Sequence, residues 1–166
     1  IGGKTAVDHT KGKNLIGAFY QPSLVLADIN TLRTLSPRAL REGFAEVIKT
    51  ALILDADLFK FLENNTEALL NLEEAPLVHV FSRCASLKGW VVSQDEKEKG
   101  LRAILNYGHT IGHALEAITN YRSILHGEAV SIGMAVAGEL SKRHDLLKSK
   151  DLDRQNKLIE DFGFRI

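Results

Sequence analysis

A chain of 166 residues, 45% of them hydrophobic, is the size of one domain with a real core and excludes a disordered segment. Its 21 Lys and Arg are matched by 21 Asp and Glu, so no net charge draws it to nucleic acid or an acidic membrane surface, and any charge specificity must be local. The single cysteine, Cys84, excludes an internal disulfide and fits a reducing compartment. No basic start precedes an apolar signal segment, and no apolar run is long enough to span a bilayer, so a soluble, cytoplasmic setting is expected. Cys84 itself reads as a small buried hydrophobe, since nothing beside it would lower its pKa.

The start, Ile1-Gly2-Gly3-Lys4-Thr5, is a glycine turn with no element ahead of it. That pattern is expected where an upstream domain is removed or separately encoded. From Gly2 to Pro22 the segment is glycine-rich with cations at Lys4, Lys11 and Lys13, and reads as loop with at most short extended pieces. Leu24-Val25-Leu26-Ala27 reads as one short buried strand. Ser36-Pro37 then opens a helix, a hydroxyl N-cap followed by proline in the first turn. Leu40, Phe44, Val47 and Ala51 form its core stripe, and Glu46 and Lys49 lie on the other side. Further helices are expected near 56–63, 76–93, 108–119, 128–144 and 150–161, with breaks at Asn64-Asn65-Thr66 and Tyr121-Arg122-Ser123. The expected architecture is mainly α. A multi-helical domain over 29–166 follows a glycine-rich loop and short strand, 1–28, that belong to a neighbouring sheet.

Three separated groups carry the chemistry: Glu46 in AEVIK, His109 and His113 in LNYGHTIGHALE, and His126 in LHGEAV. Imidazole and carboxylate are zinc ligands, and a catalytic zinc keeps three protein ligands with one position open, so three or four of these groups could converge on one metal. His109 and His113 are four apart and share a helix face, which Glu116 joins one turn later. Both could be ligands, or one a ligand and the other a substrate contact. Gly108 and Gly112 would let another backbone or a ligand approach closely. The pattern is not HExxH, so a zincin protease is unsupported. Taken alone, Glu46 and Lys49 would be an exposed pair worth roughly a few tenths of a kcal/mol. Ile53 shares their face, however, and a covered carboxylate needs a partner such as a metal. Lys4, Lys49, Lys88 and Arg102 suit a phosphorylated or carboxylated substrate; the ordinary alternatives are snorkelling for Lys88 and surface solvation for Arg102 and Asn106. Asp95-Glu96-Lys97-Glu98-Lys99 reads as a solvated turn in which Glu98 could orient a nearby cation.

The stretches GGKTAVDHTKGKNLIGAFYQP, TLRTLSPRALREGFAEVIKTALI, DEKEKGLRAILNYGHTIGHALE and LHGEAVSIGM resemble, in order and spacing, the 3-dehydroquinate synthase family of the shikimate pathway. The resemblance implies conversion of 3-deoxy-arabino-heptulosonate 7-phosphate to 3-dehydroquinate and phosphate, with catalytic NAD and a zinc or cobalt ion. It implies Glu46, His109 and His126 as metal ligands. Lys49, Lys88, Arg102, Asn106, His113 and Asn14 would hold the substrate's carboxylate, hydroxyls and phosphate. Lys4 would reach the phosphate and, with Lys13, Thr31, Leu32, Arg33 and Thr34, would touch NAD. A homodimer is implied too, as is an N-terminal dinucleotide-binding domain, for which no GxGxxG unit is present here. The chain would then be the metal and substrate half, with the C-terminal helices cut short after Ile166. The alternatives are a related sugar-phosphate cyclase, of the 2-deoxy-scyllo-inosose or valiolone synthase type, or a non-catalytic helical assembly module.

Overall fold

The structure, a computed structural model, describes residues 1–9, 12–120 and 123–166, with the backbone alone at residues 8 and 12–14. The glycine-rich start is not loop. β1 (Lys4–His9) pairs antiparallel with β2 (Gly12–Phe19), Lys4 opposite Phe19 and Val7 opposite Ile16. Thr5, Val7 and Ile16 are β-branched and suit a pleated strand. Gly17 suits the pair for the opposite reason, since a Cβ there would overlap the Thr5 carbonyl oxygen. A second expectation also fails: Leu24-Val25-Leu26-Ala27 forms no strand, and Leu24 and Leu26 are 80% and 87% exposed. An apolar run becomes a strand only beside a hydrogen-bonding partner, and none lies next to it among the described residues.

A 3-10 helix (Ile29–Thr34) starts at Asp28, whose carboxylate accepts from Asn30 N at 2.9 Å. α1 (Pro37–Leu54) starts where Ser36 Oγ accepts from Ala39 N at 3.2 Å. Asp55 caps α2 (Ala56–Leu70) by accepting from Asp57 N and Leu58 N, both at 3.0 Å, and its other oxygen pairs with Arg83 of α3 (Glu74–Gln94). The break expected at Asn64-Asn65-Thr66 is only a kink, centred on Asn65 with φ −130°. All three side chains bond back to the carbonyl four residues earlier, at 2.8 Å, instead of capping a new helix. A second 3-10 helix (Leu101–Asn106) leads to α4 (His109–Ile118), α5 (His126–Arg143) and α6 (Ser149–Asp161). Tyr121 and Arg122 of the other expected break lie outside the described residues.

α1 is the central helix, packed against α2, α3, α5 and α6. Its Phe44, Ala45 and Ile48 are buried with Leu58 and Leu62 of α2, Val130 and Met134 of α5, and Leu158 and Ile159 of α6. Phe162 closes the end of the core, its ring 4.9 Å from that of Phe44. Each such side chain contributes roughly 1.5–3 kcal/mol of burial, so the helical layer holds itself together, while the hairpin exposes Val7, Leu15, Ile16 and Phe19. No described helix is long and apolar enough to cross a membrane.

Asp55 joins two helices through one side chain, so Asp55→Ala is expected to lower unfolding stability by about 1–2 kcal/mol. Urea denaturation measures this, and an unchanged midpoint would mean the cap carries no net stability.

Candidate metal centre

Three helices bring the polar groups together. Glu46 projects from α1, His109 opens α4 and His126 opens α5, and one ligand atom from each lies within 4.8 Å of the others. Glu46 divides its carboxylate. Oε2 accepts from Lys49 Nζ at 2.6 Å, while Oε1 is buried with no hydrogen-bond partner among the described residues. Oε1 lies 3.4 Å from His109 Nε2 and 3.7 Å from His126 Nε2. A buried acceptor left unmade costs about 1–3 kcal/mol. One carboxylate oxygen facing two imidazole nitrogens is a set that a zinc-type cation satisfies, so these residues fit such an ion.

The charge states of Glu46 and His109 agree with that use. Burial pushes the Glu46 carboxyl up, but His126, Lys49 and His109 outweigh it and hold it at about 2, fully ionised at neutral pH. Burial lowers His109, and Lys49 lowers it further, which favours the neutral ring that can donate a lone pair. Glu46 raises His126 against burial, and Glu116 adds to the rise. Lys49 is itself lowered by burial, with Glu46 opposing the shift. His109 Nδ1 lies 3.2 Å from the Tyr107 carbonyl, so a proton at Nδ1 leaves Nε2 free to face Glu46.

Backbone contact fixes the spacing of the three helices. Gly108 adopts a left-handed φ of 78° at the head of α4, and a Cβ on Gly133 of α5 would overlap the Gly108 carbonyl. Only glycine allows α4 and α5 to close this far. Gly127, next to His126, meets α1 in the same way: a Cβ there would lie 2.5 Å from the Glu42 carbonyl oxygen. Glu128 completes the HGE motif. It accepts from Leu125 N at 3.0 Å and takes a two-pronged bond from Arg38 at 2.8 and 2.7 Å. Arg38, Glu42 and Glu46 stand four residues apart on one face of α1.

The remaining candidates are not all drawn to this point. Lys49 and Lys88 line one cavity with Glu46, of about 480 Å³ between α1 and α3. His113 is exposed, its ring edge-on to His109 with centroids 5.3 Å apart. Arg102, expected to hold substrate with surface solvation as the ordinary alternative, is 4% exposed, which removes that alternative. Its guanidinium donates to the carbonyls of Glu96 at 2.7 Å and Gly2 at 3.1 Å, tying the start of the chain to the turn after α3. Asn106 donates to Glu98 Oε1 at 2.9 Å, and Glu98 Oε2 pairs with Lys4. Thr31, Arg33 and Thr34 are exposed on the first 3-10 helix, whereas Leu32 packs against the core. No described hydrogen bond or ion pair joins that helix to the histidines. The side chains of Lys13 and Asn14 lie outside the described residues.

Residues 43–166 match the model of the 3-dehydroquinate synthase C-terminal family, and residues 1–42 that of the 3-dehydroquinate synthase N-terminal family. The chain belongs to the 3-dehydroquinate synthase family. It is 52% identical over 165 residues to the 3-dehydroquinate synthase of Prochlorococcus marinus (strain MIT 9515), covering 98% of this chain and 46% of that protein. With the enzyme of Pelotomaculum thermopropionicum it shares 53% over 163 residues, covering 98% and 44%. The chain thus spans about half the length of the curated relatives it matches. Among solved structures it resembles the 2-epi-5-epi-valiolone synthase ValA of Streptomyces hygroscopicus subsp. jinggangensis 5008, solved with NAD+ and Zn2+ bound, at TM-score 0.89 and 32% identity over 99% of this chain and 46% of that one. A 2-deoxy-scyllo-inosose synthase complexed with carbaglucose-6-phosphate, NAD+ and Co2+ aligns at TM-score 0.72 and 32% identity, covering 95% and 43%. The mainly α fold expected from sequence is that of these sugar-phosphate cyclases.

The sequence reading assigned no role to Asp95, which accepts from three backbone N–H groups, of Lys99, Gly100 and Arg102, and so folds the turn carrying Glu98. Nor did it assign one to Gly127 or Gly133, although the HGE motif was a signal for the first. Gly127→Ala is expected to push the start of α5 off α1 and to weaken zinc binding by roughly tenfold or more, the scale of losing a residue that orients a ligand. Calorimetry with zinc measures this; affinity equal to wild type would show that the α1–α5 contact does not set the ligand spacing.

Proposed function

We infer that the chain is the metal- and substrate-binding half of a 3-dehydroquinate synthase that turns 3-deoxy-arabino-heptulosonate 7-phosphate into 3-dehydroquinate and phosphate, working as a cytoplasmic homodimer with NAD. The observation that carries the reading is the buried, unpartnered Oε1 of Glu46 facing the Nε2 atoms of His109 and His126. A zinc or cobalt ion held there supplies Lewis acidity to substrate hydroxyls. The chain's own residues do the rest. Lys49 holds the Glu46 carboxylate in place and, with Lys88, makes the cavity wall positive. That wall suits a substrate carrying a carboxylate and a phosphate. Glu98 joins Lys4 to Asn106, which brings the hairpin's lysine to the edge of the segment leading into His109. NAD contacts at Lys4, Lys13 and Thr31 to Thr34, and substrate contacts at Arg102, His113 and Asn14, belong to the same proposal.

The cyclase structures favour a second reading, a sugar-phosphate cyclase acting on a sugar phosphate that carries no carboxylate. Two observations count against it: identity to the cyclases is 32%, against 52% to the dehydroquinate synthase, and a substrate without a carboxylate has less need of paired lysines. In the full-length protein, turnover of the heptulosonate phosphate but not of glucose 6-phosphate is expected, and the reverse would overturn the first reading. Glu46→Gln and His109→Ala should each weaken zinc binding by more than the ~10–100-fold that an outer residue costs. Turnover should then fall at least about a hundredfold, as several kcal/mol of charge stabilisation are lost. Tight zinc binding in both variants would sink the ligand assignment.

A further inference from the structure

We propose that Glu116 is a positioning residue for the metal centre: it holds the proton of His126 on Nδ1, so that Nε2 is presented bare to the point shared with Glu46 and His109. This rests on the metal-site reading above. Glu116 lies on α4, seven residues after His109, and is 5% exposed. Both of its carboxylate oxygens lie 3.3 Å from His126 Nδ1, and no other hydrogen-bond donor reaches them among the described residues. A buried carboxylate needs a donor, and this imidazole nitrogen is the one available. A proton on Nδ1 of a neutral ring leaves the lone pair on Nε2, and His126 Nε2 is the atom turned toward Glu46 Oε1 at 3.7 Å. His109 reaches the same tautomer by another route, with the Tyr107 carbonyl in the place of the carboxylate.

The arrangement gives α4 two tasks. Its first residue is a ligand, and two turns later it supplies the acceptor that orients a ligand on the next helix. A carboxylate–histidine pair of this kind also raises the basicity of the metal-facing nitrogen. The competing use of the same atoms is a second ion held by His113, Glu116 and His126, whose ligand atoms also lie within 4.8 Å of one another. The two uses are exclusive at Nδ1, which carries a proton in the first and a metal in the second.

The test reads the His126 tautomer in the metal-free full chain by 15N-resolved NMR of the imidazole, then zinc affinity in Glu116→Gln and in the similarly shaped Glu116→Met. Wild type should show the proton on Nδ1. Glu116→Gln, whose amide oxygen still accepts, should keep that tautomer and bind zinc within a few-fold of wild type. Glu116→Met should lose the preference and bind about 10–100-fold more weakly, with an unchanged circular dichroism spectrum. A wild-type proton on Nε2 overturns the proposal without any variant. So does Glu116→Gln losing zinc as completely as Glu46→Gln, which would make Glu116 a ligand itself. If zinc binds tightly to Glu46→Gln while His126 keeps its Nδ1 proton, the metal-site reading fails and the Glu116–His126 pair stands.

Discussion

The closeness of α4 to α5 is the constraint on which the site depends. Where Gly133 lies against the Gly108 carbonyl, the two backbones meet without side chains between them, and the candidate ligands that open the two helices, His109 and His126, are carried to ring centroids 5.3 Å apart. Gly127 brings the start of α5 against α1 in the same manner, within reach of Glu46. Had any of these contacts been spaced by ordinary packing, the helix axes would stand 8–10 Å apart with side chains between them, and the three ligand atoms would not share one point. Helix packing and metal geometry are therefore one problem here.

Electrostatics follow from that geometry. A carboxylate and two imidazoles crowded at a half-buried spot would ordinarily invite a shared proton, which either neutralises Glu46 or charges a histidine. Lys49 counters this. Together with His126 it keeps the carboxylate ionised, by bonding Oε2, and it adds its own charge to burial in disfavouring a proton on His109. The lysine that prepares the ligands also faces the cavity that Lys88 lines. One buried cation thus serves both the Glu46–His109–His126 group and the electrostatics of the space beside it.

The legibility of this in sequence follows the range of each interaction. Helical spacing puts Leu40, Phe44 and Ala51 on a core face, and Ser36-Pro37 marks the start of α1, because those signals act within one or two turns. GHxxGH places His109 and His113 on one face for the same reason. The meeting of Glu46 with His126 spans 80 positions of chain and left no periodic trace, so the family resemblance had to supply it. The bond of Arg102 to the Gly2 carbonyl had no local sign, because that partner lies a hundred residues earlier. The β1–β2 pairing was missed since glycines at 12 and 17 read as turn formers, though Gly17 is there to let the strands approach. Leu24 to Ala27 misled in the opposite sense: its composition suits a strand, but pairing is a property of neighbours.

The molecule divides its duties along the chain. Glu46 and His126 sit on α1 and α5, whose inner faces belong to the common core, while α4, which carries His109, is held by its close backbone approach to α5, so the spacing of the three candidate ligands rests on packing that the hairpin does not share. Lys4 and the exposed 3-10 helix, to which the proposed NAD contacts are assigned, stand instead on segments with few buried side chains. Metal binding should then depend on the packing of α1, α4 and α5. Substrate and cofactor binding should depend on how the outer segments are held, and two tethers do this from the stretch between α3 and α4: the Arg102 guanidinium on the Gly2 carbonyl and Glu98 on Lys4. Because that stretch leads directly into Asn106 and His109, a change in the outer segments reaches the candidate metal ligands through a few residues of chain rather than through the core.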